Sequence, residues 1–189
     1  ATLAVDQLAQ QSQDLLQEVV FDGACGSGIL LTTMFRRMLA LKEAREKRQL
    51  SLTERAALLK ERIFGADLNE QACRVTAFSL YLSLLEGLQP ADIRDLQEKE
   101  DVKLPTLRGK NLITGDEGDF FGRRHPFLSR GFTLSISNPP WVEISGEATF
   151  ADSWAEQAGV PSVRRQIAGL FALRSLDFLA ENGMVCMIL

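Results

Sequence analysis

The residues that most directly suggest chemistry are Asn138-Pro139-Pro140-Trp141, which follow an apolar, alternating run at residues 132–137. The two prolines restrict the backbone and lack N–H groups, so the carbonyl oxygens there stay available as acceptors. The Asn138 side-chain oxygen and the Pro139 carbonyl could then accept both hydrogens of one planar amine, and Trp141 offers a ring on which a base can stack. The simpler interpretation is a turn at a strand end, anchored by a tryptophan.

A second candidate is a glycine-rich turn that follows the short apolar run 19–21. Glycine permits a positive φ and close approach of a ligand, and the helix expected from Ile29 offers unpaired N–H groups and a partial positive charge. Such a turn can hold a nucleotide-like ligand, although glycines are common in any strand–helix connection. The candidate binding residues of this turn are Asp22, Gly23, Ala24, Cys25, Gly26 and Gly28.

Two aspartates follow further predicted strands. Asp67 ends the apolar run 62–66, where a carboxylate can accept hydrogen bonds from ribose hydroxyls or, alternatively, cap the next helix. Asp116 follows Gly115 and could accept a hydrogen bond from the exocyclic amine of an adenine, or serve only as a turn residue.

Hydrophobic periodicity predicts the elements that position these residues. Strands are predicted at residues 19–21, 62–67, 110–114, 132–137 and 184–189, and helices at residues 3–18, 29–40, 69–88 and 163–180. The charged segment 42–62 is predicted as an exposed helical extension, in which Ser51 and Glu54 have the spacing of a capping box. Residues 145–162 are expected to form a loop, and Asn182-Gly183 to stop the last helix. The apolar face of helix 69–88 is predicted from Ala72, Val75, Phe78, Leu82 and Leu85.

Strands that alternate with helices predict an α/β fold with a doubly wound parallel sheet. Ligands of such sheets bind at the carboxyl ends of the strands. The glycine turn, Asp67, Asp116 and Asn138–Trp141 are therefore expected to lie along one edge of the sheet.

Composition limits the class of protein. The chain has 189 residues, enough for one domain, and its net charge of −4 lacks the basic footprint of a nucleic-acid-binding protein. Cys25, Cys73 and Cys186 have no metal-binding spacing, so no metal is expected, and they suit a reducing compartment. No apolar run reaches membrane-spanning length and no signal peptide is evident, so we predict a cytoplasmic protein without membrane contact. His125, between two polar or turn-forming neighbours, is expected at the surface.

Taken together, the segments resemble the S-adenosylmethionine-dependent DNA adenine-N6 methyltransferases, over residues 19–189. Asp22–Gly28 is similar to their cofactor turn, with Gly23 where proline is usual. Gly65–Asn69, which includes Asp67 and Leu68, is similar to their ribose-binding segment. Gly115-Asp116 matches the segment that contacts the cofactor adenine, and Asn138–Trp141 resembles the catalytic motif.

The resemblance implies a Rossmann-like class I methyltransferase sheet, S-adenosyl-L-methionine as cofactor, and a flipped adenine held by Asn138, Pro139, Pro140 and Trp141. The motif order resembles the gamma-like arrangement of restriction–modification enzymes. It implies that residues 1–189 are a catalytic domain truncated after the fifth strand, with a DNA-recognition domain expected beyond Leu189. The implied partners are double-stranded DNA, through that region or a partner subunit, and a restriction or specificity subunit.

Two other interpretations stay open. The same motif serves methyltransferases that act on RNA or on protein glutamine. The domain could also be an inactive module that only binds the cofactor.

Overall fold

A computed structural model of the protein describes residues 1–89, 104–141, 150–160 and 167–188. Its centre is a five-stranded sheet in which every neighbouring pair of strands is parallel. The strands are β1 (Val20–Asp22), β2 (Ile63–Asp67), β3 (Leu112–Thr114), β4 (Phe132–Ser137) and β5 (Leu179–Met187). Their order across the sheet is β3-β2-β1-β4-β5. The strands β2 and β3 thus lie on one side of β1, and β4 and β5 lie on the other side.

The described helices are α1 (Thr2–Gln11), α2 (Ile29–Glu46), α3 (Leu52–Arg62), α4 (Glu70–Leu85), α5 (Phe150–Ala158) and α6 (Ile167–Ser175), with short 3₁₀ helices at Gly115–Gly118 and Leu176–Phe178. None of the helices in these described ranges is long and apolar enough to cross a membrane.

Alternation along the strands separates two buried clusters, one on each face of the sheet. Val20 and Ile63 belong to the cluster that α1 to α4 cover, whereas Phe21 and Phe64 belong to a second cluster. The second cluster is rich in phenylalanine and includes residues of α5 and α6. The predicted α/β fold, with a parallel sheet and helices on both faces, is thus confirmed and is consistent with a Rossmann-like methyltransferase fold.

Several predicted boundaries are wrong, and local hydrogen bonds explain two of them. The first helix ends at Gln11 rather than residue 18, because Ser12 donates to Glu18 at 2.5 Å and Asp14 accepts from the Leu16 N–H at 3.1 Å, which favours a turn. The second helix runs beyond residue 40 to Glu46 and ends where Lys47 adopts a φ of 54°.

Residues 42–62, predicted as an exposed helical extension, are helical at 42–46 and 52–62 but only partly exposed. The capping box at Ser51 and Glu54 is confirmed, since each side chain accepts a hydrogen bond from the other residue's N–H. However, the leucines of this segment are buried, and so is Arg55, which donates to the carbonyls of Leu50, Leu84 and Glu86.

The predicted apolar face of α4 is also wrong. Val75, Phe78 and Leu82 are exposed, Phe78 by 62%, whereas the buried face consists mainly of small residues such as Cys73, Thr76 and Ala77 with Leu80 and Leu84. Small side chains face inward because the glycine turn and α2 pack closely against this helix.

The last part of the chain differs most from the prediction. The expected loop 145–162 contains α5, whose Ala151 and Ala155 are buried; residues 142–149 and 161–166 lie outside the described ranges. The predicted helix 163–180 is α6, a 3₁₀ turn and the start of β5, because a continuous apolar run does not by itself distinguish helix from strand. Asn182, with a φ of 64°, and Gly183 lie in an irregularity of β5 and do not stop a helix.

His125 is buried rather than at the surface, with only 4% of its area exposed. Its ring meets Phe178 edge-on at 5.0 Å between centroids, and its Nδ1 accepts a hydrogen bond from the Phe127 N–H at 3.2 Å. Burial, with a smaller contribution from the charge of Arg174, lowers the pKa of His125 to about 4.

Acid should therefore destabilise the protein through His125. The unfolded chain protonates this residue near pH 6.5, whereas the folded state keeps it neutral until about pH 4, so its contribution to stability is lost as the pH falls through that window. We expect the free energy of unfolding to fall by about 2–3 kcal/mol more in the natural protein than in His125→Phe between pH 6.5 and 4. Urea unfolding of both proteins at a series of pH values measures this difference. Groups that titrate alike in the two proteins contribute equally and cancel when one free energy is subtracted from the other. Parallel pH profiles for the two proteins would contradict the assignment.

Candidate functional site

A cavity of about 430 Å³ lies at the carboxyl ends of β1, β2 and β4. Part of its wall comes from the strand ends, namely Gly23, Ala24, Asp67, Leu68, Asn138 and Pro140. The other described lining residues belong to the loop after β3 and to α5 and α6, namely Gly118, Asp119, Phe120, Phe121, Phe150, Ala151, Ile167 and Phe171. The structure therefore brings the glycine turn, Asp67 and Asn138 to one space, as the parallel sheet predicts.

The glycine turn connects β1 to the N-terminus of α2. Gly26 and Gly28 have φ values of 54° and 78°, which favour glycine. Thr76 of α4 fills the space beside Gly28, since a Cβ on that glycine would lie 2.7 Å from the threonine methyl group. The turn is further held by a hydrogen bond from the Cys25 N–H to the Ala66 carbonyl at 3.0 Å.

Asp67 connects two elements through its carboxylate. Oδ2 accepts from the Gly26 N–H at 2.8 Å, and Oδ1 accepts from the Asn69 N–H at 2.8 Å. Asp67 therefore fixes the glycine turn and binds the residue before α4, but it does not cap that helix: the cap is Asn69, whose side chain accepts from the Gln71 and Ala72 N–H groups. It lines the cavity together with Leu68, whose side chain is exposed.

Asp22 is buried beneath the turn, with 1% of its area exposed. Its Oδ1 accepts from the Ser137 hydroxyl at 2.6 Å and from the Ala24 N–H at 3.0 Å. Burial is the main cause that raises the pKa of Asp22 to about 7; the negative charge of Asp67 adds to the rise, while both hydrogen bonds oppose it. The carboxyl group therefore titrates near neutral pH, and Ser137 ties it directly to the strand that precedes Asn138.

Asn138 and Pro140 are exposed and line the cavity, whereas Pro139 is buried. Trp141 is 64% exposed and is absent from the described lining. Its indole N–H donates to the Asn138 side-chain oxygen at 3.4 Å, a long and therefore weak hydrogen bond. The predicted acceptor atom of Asn138 thus already receives one weak hydrogen bond and keeps a second lone pair available.

Asp119 lines the cavity, whereas Asp116 is not among the described lining residues. Asp116 is an exposed residue of the 3₁₀ helix after β3, and Asp119 accepts a hydrogen bond from the Phe121 N–H at 2.9 Å. The sequence signal that would have found this aspartate is a second Gly-Asp pair, Gly118-Asp119, followed by two phenylalanines.

Gly23 is required by its contact with Phe120. A Cβ on Gly23 would lie 2.3 Å from the Phe120 ring. That ring is held in place because it stacks on Phe171, at 4.2 Å between centroids, and on Phe178, at 4.9 Å. The aromatic stack therefore accounts for a glycine where resembling proteins carry proline.

Arg174 of α6 holds the loop that carries this stack. Its Nε donates to the Phe120 carbonyl at 3.2 Å and its Nη2 to the Gly122 carbonyl at 3.0 Å. Its Nη1 donates to Asp177 at 2.6 Å, and Asp177 also accepts from the Trp154 indole at 3.1 Å. One buried guanidinium thus connects the loop, α5 and α6, the three elements that close the cavity opposite the glycine turn.

Cys25 of the turn and Cys73 of α4 are both buried, with their sulfur atoms 3.9 Å apart. Within the described residues, no group of three or more His, Cys, Asp or Glu side chains is placed to hold a metal ion.

Comparison with known families identifies the chain. A family model described as Eco57I restriction-modification methylase matches residues 61–189, more than half of the chain. The chain therefore belongs to this family, which supports methylation of DNA as its class of reaction. The matched region includes Asp67, Asp119 and Asn138–Trp141 but begins after the glycine turn. No curated protein was found that matches the chain.

The Gly23–Phe120 contact predicts a coupled effect on stability. Gly23→Ala should lower the free energy of unfolding by about 1–3 kcal/mol, because the added Cβ meets a ring that cannot move within its stack. In a Phe120→Leu background, the same substitution should cost less. Urea unfolding of the four proteins gives the coupling energy between the two positions. Strictly additive effects would show that Gly23 and Phe120 do not constrain each other.

Proposed function

We propose that this member of the Eco57I restriction-modification methylase family transfers a methyl group from S-adenosylmethionine to N6 of adenine in DNA. The observation that carries the proposal is the cavity that joins the glycine turn, Asp67 and Asn138 at one sheet edge. Its volume of about 430 Å³ lies in the range of small-molecule sites, and its walls are largely apolar with a few polar groups. The three cavity regions correspond to cofactor and base sites in the enzymes that the sequence resembles.

The polar groups around this cavity suit a cationic cofactor. Asp67 and Asp119 line it and Asp22 lies buried beneath the turn, so three carboxyl groups would favour a sulfonium and an ammonium group bound there. The backbone at Gly23 and Ala24 would hold the methionine part, and Asp67 and Leu68 would contact the ribose. Asp119 is favoured over Asp116 as the acceptor for the adenine amine, because it faces the cavity.

For catalysis, a flipped target adenine would enter beside Asn138, at a cost of a few kcal/mol for unstacking. The Asn138 oxygen and the Pro139 carbonyl would accept the two amine hydrogens and favour the nitrogen lone pair as nucleophile. The cofactor supplies an activated methyl group. Asn138 and the Pro139 carbonyl would direct the amine nitrogen at this group, and one amine proton would pass to solvent as the nitrogen is methylated. Loss of the weak Trp141–Asn138 hydrogen bond would free the Trp141 ring to stack on the base.

The partners and domain organisation follow from the same proposal. Residues 1–189 form the catalytic part, and sequence recognition of double-stranded DNA is assigned to a region beyond them or to a partner subunit. A restriction or specificity subunit would complete the system.

Methyl transfer from labelled S-adenosylmethionine to duplex DNA, RNA and protein pools tests the proposal with the complete protein. Transfer to DNA at adenine N6 is expected. Transfer to RNA or protein alone would replace the proposed substrate. Cofactor binding without transfer to any pool would indicate an inactive cofactor-binding module.

Asn138→Ala should leave the cofactor Kd nearly unchanged and reduce the rate of methyl transfer at least about 100-fold, since the amine loses a positioned acceptor. Asn138→Asp, which keeps an acceptor oxygen at the same place, should retain more activity than the alanine variant. Isothermal titration with S-adenosylmethionine and single-turnover kinetics on DNA measure the two quantities. A fully active Asn138→Ala would remove this residue from its proposed role.

The titration of Asp22 predicts a pH-dependent cofactor affinity. The folded-state pKa of about 7 means that this carboxyl is largely protonated at pH 6 and ionised at pH 8, and a bound cation favours the ionised form. The affinity should therefore rise about tenfold as the pH increases through 7, with release of a proton on binding.

Asp22→Asn serves as the control for this prediction, because it mimics the protonated carboxyl while the cofactor's own amino group still titrates. Calorimetric titrations in buffers of different ionisation enthalpy count the protons that each protein releases. Equal proton release by both proteins would exclude Asp22 as the responsible group.

A further inference from the structure

A second cavity, of about 250 Å³, lies beside the first and is lined by a different face of α5. Phe150, Ser153, Trp154 and Gln157 line it with the i, i+3, i+4, i+7 spacing of one helix face. Phe150 and Phe121 line both cavities. The two cavities are therefore neighbours that share two aromatic rings.

Arg123 supplies positive charge to the second cavity. Its side chain is exposed and forms no hydrogen bond or ion pair with any described residue. Several other exposed arginines of the described chain pair with carboxylates, as Arg36 does with Glu86 and Arg45 with Asp14. Arg123 thus keeps its charge available although the protein carries a net charge of −4.

The same loop carries two further arginines without an ion pair in the described chain. Arg124 is exposed, and Arg130 lies over the Phe64 ring at 3.7 Å. The later part of the loop between β3 and β4, residues 123–130, is therefore locally positive, whereas the earlier part carries Asp116, Glu117 and Asp119.

The neutral groups of the second cavity also suit an anion. The Ser153 hydroxyl and the Gln157 amide form no hydrogen bond with described residues, so both can donate to a ligand. The described lining contains no carboxylate, and the nearby Asp177 is already bonded to Arg174 and Trp154. A guanidinium with neutral donors beside it is a typical phosphate site.

We propose that the second cavity binds a backbone phosphate of the target DNA strand, adjacent to the nucleotide whose base enters the first cavity. Arg123 is the principal contact, and Ser153 and Gln157 are neutral donors. The inference rests on the proposed function. A nucleotide whose base occupies the first cavity would place its neighbouring phosphate in the second, and the backbone between them would run beside Phe121 and Phe150. It assigns DNA contact to the catalytic part itself, in addition to any recognition domain.

The test uses the complete protein, unmethylated plasmid DNA and labelled S-adenosylmethionine over a series of salt concentrations. Arg123→Gln should raise the KM for DNA about fivefold to tenfold at low salt and lower the slope of log KM against log salt by about one unit, the amount expected for one phosphate contact. The cofactor Kd should stay unchanged. Arg123→Lys should keep the slope and recover part of the affinity, and Ser153→Ala should raise the KM without changing the slope.

Lys60→Gln is the matched control, because it also removes one exposed positive charge, on α3 at the amino-terminal end of β2 and so at the opposite sheet edge from the cavities. It should leave both KM and slope close to those of the natural protein. If Arg123→Gln behaves like Lys60→Gln while the natural protein methylates DNA, the phosphate site is wrong and the proposed function stands. If the natural protein methylates no DNA, both proposals are overturned.

Discussion

The candidate site depends on the contact between the buried Asp22 carboxyl and the Ser137 hydroxyl. These residues are 115 positions apart in the sequence, yet their oxygen atoms lie 2.6 Å apart. The bond joins the end of β1, where the glycine turn begins, to the end of β4, immediately before Asn138. Asp67 makes the corresponding connection from β2, through its hydrogen bond to the Gly26 N–H. Two carboxylates therefore fix three strand ends relative to one another, and the cavity keeps its shape because of them.

The opposite wall depends on aromatic packing and a single buried cation. Phe120 stacks on Phe171 and Phe178, and Arg174 holds the Phe120 carbonyl. The wall of the cavity at β2 thus carries the carboxylate of Asp67, whereas the opposite wall is mainly aromatic, and Arg123 lines the neighbouring second cavity.

Side-chain size explains where the sequence patterns predicted helix packing wrongly. The predicted face of α4 followed its largest apolar residues, but Thr76 and Cys73 face inward, because Gly28 and Cys25 of the turn leave space only for small groups. In α5, the buried positions are alanines, which carry a weak periodic signal. Hydrophobicity scales give weight to large residues, whereas close backbone packing selects small ones. The burial of His125 was missed for a related reason, because a polar sequence neighbourhood says little about an aromatic cluster formed by distant residues.

The sequence by itself determined the alternation of strands and helices, the parallel sheet, and the strand-end positions of the glycine turn, Asp67 and Asn138. These follow from local patterns, because strand length, glycine placement and the two prolines act on their immediate neighbours. Only the tertiary structure decided that Asp119 rather than Asp116 lines the cavity and that Gly23 makes room for Phe120. It also decided that Arg174 is buried and holds a loop, whereas Arg123 is exposed and keeps a free charge. Each of these results from contacts between segments far apart in the chain, and no local pattern encodes which of two nearby aspartates or arginines such contacts will choose.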